Sequence, residues 1–185
     1  IEYAREQGAV VVVDDIIQRE GYSAARMQLR QLAKQYFPDA HWTMLLDAVE
    51  RIELRFKHIF RWIKDYLTED YDIVAFPRID WMDTNKTCSA NDIMVHPDWQ
   101  ARMIRYSSEV RYIRRLHEQV IDFKEIFADL YTPPIDHFHR SAVEKRDTVG
   151  KLCAKLHRED KEWGHTYPEH PKEAEYRDRF DKEGL

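Results

Sequence analysis

The chain has 185 residues, 43% of them hydrophobic and 34% charged, with a formal net charge of -5. That length buries a core of its own, and the mildly acidic balance argues against a dedicated nucleic-acid or membrane-surface protein. No apolar run reaches the ~18 residues that a bilayer span needs, and Cys88 and Cys153 stand far apart without a CxxC, so a reducing compartment, cytoplasmic or within an organelle, is expected.

In chain order, residues 2–7 are polar and read as the end of a helix that Gly8 stops. Residues 9–13, AVVVV, form a continuous β-branched run of the kind buried on both faces of a parallel sheet. Residues 23–36 change period. Ala25, Met27, Leu29, Leu32, Ala33 and Tyr36 mark one side of a helix, which Pro38 and Asp39 end. The stretch AHWTMLLDAV, residues 40–49, reads as a second strand, so the expected topology is a right-handed parallel crossover. Residues 49–68 mix periods and lean to helix. Residues 71–81, YDIVAFPRIDW, read as a third strand that Pro77 bends.

Residues 97–131 hold neither glycine nor internal proline after Pro97. Trp99, Met103, Tyr106, Val110, Ile113, Val120, Phe123, Phe127 and Leu130 recur at steps of mostly three or four, which predicts one long amphipathic helix or a bent pair. Its apolar stripe suits a homo- or hetero-oligomeric interface. A shorter helix is expected at 141–158, and residues 161–185 read as a charged, extended tail. The predicted organisation is an α/β unit over residues 1–90, a helical region over 91–160, and the tail. The first residue, Ile1, marks the expectation of a processed, cropped or longer product.

Asp14 and Asp15 follow the valine run directly. In a parallel sheet, ligands sit beyond the carboxyl ends of the strands, and a helix start offers free N–H groups to an anion. Two carboxylates for a diol and a helix start for a phosphate point to a sugar phosphate or nucleotide. Capping of the following segment is the plainer role for the same aspartates.

VVVVDDIIQREGYS resembles the signature of the type I phosphoribosyltransferases: a hydrophobic strand, an acidic pair, two aliphatics and a loop into a helix. YFPDAHWTMLL and DIVAFPRIDWMD resemble the later segments of the branch acting on 6-oxopurines, the xanthine-guanine type. The resemblance covers residues 9–83. It implies that Asp14 and Asp15 hold the ribose hydroxyls of phosphoribosyl pyrophosphate (PRPP). It also implies that Gly21, Tyr22 and Ser23 cradle the 5'-phosphate with help from Arg19, that Trp81 stacks on the base, and that Mg²⁺ bridges the pyrophosphate. The loop QREGYS departs from the family's Thr- and Gly-rich pattern, since Glu20 stands where a glycine is usual. The family's amino-terminal half, with its pyrophosphate loop, has no counterpart here and is expected from a preceding segment or a partner. A binding relative without turnover therefore stands beside the enzyme.

Two other classes stay open. One is a non-catalytic subunit of a larger assembly on the same scaffold. The other is a His/Asp metal enzyme built from Asp136, His137, His139, His157, Glu162, His165 and His170, a density of imidazoles and carboxylates suited to zinc or iron but without HExxH spacing.

Overall fold

The computed structural model describes residues 2–81, 85–86, 97–115 and 118–138. The chain enters through a short helix, α1 (Glu2–Glu6), and Gly8 donates its N–H back to the Arg5 carbonyl. Residues 9–13 then run without joining a strand. Val10 and Val12 are about half exposed and Val13 is 73% exposed. β-Branched residues favour an extended backbone, but a buried strand also needs a sheet edge to take its N–H and C=O groups. The run pairs with no strand of the sheet, whose ends are β1 and β2.

Two helices follow in a tight corner: α2 (Ile16–Glu20) and α3 (Tyr22–Tyr36). Gly21 joins them with φ of 93° and an added Cβ would lie 2.6 Å from the backbone of Arg115. Only glycine meets both demands at this corner. Helix α3 forms where its period predicts, yet its buried residues are Ala25, Arg26 and Arg30, while Leu29 and Tyr36 are about half exposed. The helix turns a face with two arginines inward, because carboxylates and carbonyls wait there.

The sheet is mixed and mostly antiparallel. Its strands are β1 (Trp42–Met44), β2 (Glu50–Arg51), β3 (Tyr71–Trp81), β4 (Asp98–Arg105), β7 (Glu125–Ala128) and β8 (Ile135–Phe138). The order is β1-β4-β3-β8-β2, with β7 also pairing β3, and β5 (Arg111–Ile113) and β6 (Gln119–Ile121) form a separate antiparallel hairpin. Only the β3–β7 and β3–β8 pairings are parallel. The expected parallel-sheet α/β unit is therefore overturned. Strand β1 pairs antiparallel with β4, Thr43 opposite Ile104, and no crossover links it to a strand at residues 9–13.

The expected helix over 97–131 is overturned as well; that stretch holds β4, β5, β6 and β7. Missing glycine and proline suggest an unbroken helix, but the turns here are made by other residues. Arg114 and Asp122 adopt φ of 69° and 59°, the left-handed region that non-glycine residues seldom enter. Strand β3 falls over residues 71–81 as its sequence predicts. Pro77 lies where the parallel ladder passes from the Ala75–Ala128 pair to the Arg78–Ile135 pair. A residue without an N–H is tolerated best at such a changeover.

Two cores flank the sheet. Leu45, Ile73, Ile104, Val110, Tyr112 and Phe123 pack with Met27 of α3, whereas Ile63, Val74, Phe76, Met103 and Ile135 pack with Ile59 and Phe60 of α4 (Lys57–Tyr66). Neighbours along β3 and β4, such as Ile73 and Val74 or Met103 and Ile104, divide between the two, as a two-residue period requires. Helix α4 realises the helical reading of 49–68 in its second half, after a 3-10 turn at Leu54–Phe56. The helix expected at 141–158 and the tail at 161–185 lie outside the described residues.

Candidate functional site

Among the described residues, a concentration of buried charge lies where β1 ends. Beyond Met44, Leu45 is buried and donates its N–H to the Arg102 carbonyl at 2.8 Å. The chain then turns through residues 47–50. The turn is closed reciprocally: the Glu50 N–H donates to the Asp47 carbonyl, and the Asp47 N–H donates to Glu50 Oε2, both at 2.9 Å. These bonds fix both carboxylates before any ion pair forms.

Arg102 reaches them through an irregularity in β4. Val74 faces Met103 and Ala75 faces Ala101, so β4 uses two steps where β3 uses one, and Arg102 is the extra residue. A bulge of this kind re-aims its side chain out of the normal alternation. Arg102 Nη2 lies 2.6 Å from Glu50 Oε1 and 3.2 Å from Asp47 Oδ2. From α3, Arg26 Nη2 lies 2.8 Å from Asp47 Oδ1, and its Nε donates to Glu118 Oε1 at 3.0 Å. Three carboxylates thus share two guanidiniums, leaving one formal negative charge.

Burial grades this network from floor to mouth. The Glu50 side chain is fully buried, and those of Arg26 and Arg102 are 6% and 7% exposed. The Asp47 side chain is 43% exposed, with a guanidinium on each oxygen. Burial alone would lower the proton affinity of Arg26, but Asp47 and Glu118 outweigh it and hold Arg26 above its ordinary value. Tyr112 forms the apolar wall and donates its hydroxyl to the Ala101 carbonyl at 3.1 Å. Its burial pushes the phenol up to about 12, against the opposing pull of Arg26, Arg102 and Arg30. Arg102 Nε is buried without a hydrogen-bond partner among the described residues.

The residues singled out from sequence fall elsewhere. Asp14, Asp15 and Arg19 do come together, at the surface around α2. Arg19 Nη2 lies 2.9 Å from Asp14 Oδ1, and its Nε lies 2.5 Å from Asp15 Oδ1. Gln28 donates to Asp14 Oδ2 at 3.0 Å; this bond, and then Arg19, hold the Asp14 carboxyl below the ordinary aspartate value. Asp15 takes the N-cap position of α2 without a side-chain capping bond. Gly21 lies against Arg115, and the Tyr22 N–H donates to the Arg115 carbonyl at 2.8 Å. The Arg115 guanidinium also donates to the carbonyls of Arg19 and Glu20. The corner expected to cradle a phosphate is therefore filled by another part of this chain. Ser23 is half-buried on α3. Trp81 ends β3 and donates its Nε1–H to Asp136 Oδ1 at 2.7 Å, a carboxylate that Lys86 also reaches.

Asp136 and His137 are adjacent on β8, and His137 Nδ1 lies 2.5 Å from Asp80 Oδ1. His139, His157, Glu162, His165 and His170 lie outside the described residues. Among the described residues no group of three His, Cys, Asp or Glu side chains could hold a metal ion. Asp14 and Asp15 are both ion-paired to Arg19.

No family model matches the chain, and no curated protein sequence matches it. Among the described residues no helix is long and apolar enough to cross a membrane.

Sequence reasoning passed over Asp47, Glu50, Arg26, Arg102, Glu118 and Tyr112. One signal was present: Arg26 and Arg30 sit four apart beside Ala25, on the side of α3 that the fold buries. Two arginines on a buried face require partners, and those partners define the site.

Proposed function

We propose that the chain binds a phosphorylated sugar or a nucleotide at the mouth of the Asp47–Glu50–Arg102–Arg26–Glu118 network. The ligand class is the one that the sequence resemblance implies. The place is new, because Asp14 and Asp15 are engaged by Arg19 and the Gly21–Tyr22 corner by Arg115. One observation carries the reading: Asp47 is a half-exposed carboxylate at the edge of an otherwise buried network, fixed by a buried guanidinium on each side. A carboxylate so held accepts the hydroxyls of a sugar. Rigid placement by buried partners is what a pre-organised site needs. Phosphoribosyl transfer from PRPP stays within this ligand class, without geometric support at Asp14 and Asp15.

Titration calorimetry with ribose 5-phosphate, GMP, PRPP and a nucleoside diphosphate sugar tests the proposal. Asp47→Asn keeps the fold, because Arg26 and Arg102 retain Glu118 and Glu50 as partners, and it weakens binding about tenfold or more through the lost charged contact. The Asp14→Asn, Asp15→Asn double variant binds like the parent. Binding lost in the double variant and kept in Asp47→Asn returns the site to the aspartate pair. No binding of any of the four makes the network a scaffold.

The exposed run of Val10, Val12 and Val13 favours the second reading, a subunit of an assembly. Light scattering of the parent and of Val13→Lys tests it: an oligomer that the lysine dissociates supports it, and a monomeric parent removes it.

A further inference from the structure

One turn beyond Arg26 on α3, Arg30 is buried under different terms. The two stand four residues apart and so point along one helix face. Arg26 meets two carboxylates, but Arg30 meets neutral oxygens only. Its Nη1 donates to the Val110 carbonyl, and its Nη2 makes long contacts of 3.3–3.4 Å with the Arg105 carbonyl and with the carbonyl and hydroxyl of Ser108. Its Nε has no partner among the described residues, and the residue is 4% exposed. A buried cation without a counter-ion is among the less favourable arrangements in a protein interior. Burial accordingly lowers its proton affinity, although Glu109 and Asp72 act in the opposite sense from farther away.

Arg30 borders a cavity of about 350 Å³ between α3 and the turn leading into β5. That size falls in the ~300–1,000 Å³ range of small-molecule sites. Helix α3 also contributes Gln31 and Lys34, and the opposite wall contributes Ser108, Glu109, Arg111 and Asp122. Asp122 is bound to Arg111 through two hydrogen bonds, and Lys34 has no ion pair among the described residues. Three cations against two carboxylates leave the lining one positive charge. The donors present, a guanidinium fork, an ammonium, an amide and a hydroxyl, suit a tetrahedral oxyanion.

We propose that this cavity binds a phosphate or phosphate monoester, with Arg30 at its floor, Lys34 and Gln31 as donors at its rim and Glu109 as the rim's competing carboxylate. The anion replaces the long Nη2 contacts of Arg30 with a charge-assisted pair and supplies the missing counter-charge. This inference stands apart from the proposed function, since no residue of the Asp47 network is needed.

The test is titration of the chain with inorganic phosphate and with glycerol phosphate, against chloride at equal ionic strength. The parent is expected to bind phosphate in preference to chloride. Lys34→Ala weakens phosphate binding about tenfold, the worth of one charge-assisted contact. Glu109→Gln strengthens it severalfold by removing a competing carboxylate, and Asp47→Asn leaves it unchanged. Glycerol phosphate binding equally well marks the site as one for monoesters, and phosphate alone marks the free ion. Arg30→Met abolishes binding if it folds; the two rim variants decide the matter if it does not. Equal responses to phosphate and chloride, unchanged affinity in both rim variants, or loss in Asp47→Asn each overturn the proposal.

Discussion

Arg102, the extra residue of the β4 bulge, places its Nη2 2.6 Å from Oε1 of Glu50, whose side chain is fully buried. The bond joins β4 to the turn after β1, so it ties together segments 52 residues apart in the chain. Its strength depends on both charges being present, which yields the first prediction.

Arg102→Met alone leaves the buried Glu50 carboxylate without its ion pair and should destabilise the fold by ~3–5 kcal/mol, and Glu50→Leu alone should cost less, because Arg102 keeps its longer contact to Asp47. The double variant should lose much less, because two apolar side chains replace two charges. Urea unfolding of the four proteins measures the coupling. Losses that simply add would mean that the two groups do not depend on each other.

Gly21→Ala should destabilise by about 2 kcal/mol or more, from the positive φ together with a Cβ pressed on backbone. The Arg115 backbone atoms that it meets at 2.6 Å cannot swing away as a flexible side-chain end could. Thermal melting measures the loss. An unchanged melting temperature would show that the α2–α3 corner does not rest on Arg115.

Tyr112 makes stability pH-dependent on the alkaline side. Its phenol is raised to about 12 when folded, against ~10 in an unfolded chain. The unfolded state therefore loses this proton first. The contribution is complete below the unfolded value and disappears as the pH rises through the folded one, a change of order 2 kcal/mol. Chemical unfolding at several pH values between these limits should show a decline that Tyr112→Phe reduces. Parallel curves for the two proteins would contradict the assignment.

The two readings of residues 97–131 differ in which side chains they bury. The helical stripe turns Leu130 inward and omits Ile104. In the structure Ile104 is fully buried between two strands and Leu130 is 75% exposed. Ile104→Ala should therefore cost ~2–5 kcal/mol, and Leu130→Ala should fall within ~0.5 kcal/mol of the parent. The opposite order in urea unfolding would restore the helix.

Local pattern alone specified β3 and α3. Residues 71–81 hold a continuous apolar run, Ile73 to Phe76, flanked by further β-branched and aromatic side chains, and residues 23–36 hold a helical period that Pro38 stops, so short-range preference and final structure agree. The sequence places Asp14, Asp15 and Arg19 close along the chain, and the structure draws them together as surface ion pairs. Tertiary structure decided the rest. Residues 9–13 have the composition of a strand but pair with no strand among the described residues, and whether a run pairs is a tertiary matter. Arg114 and Asp122 make left-handed turns that composition does not announce. Arg26, Asp47, Glu50, Arg102 and Glu118 are scattered along the sequence, and each reads alone as a solvated charge. They become a site only because a helix face, a closed turn and a one-residue bulge deliver them to one place, where exclusion of water obliges the charges to pair.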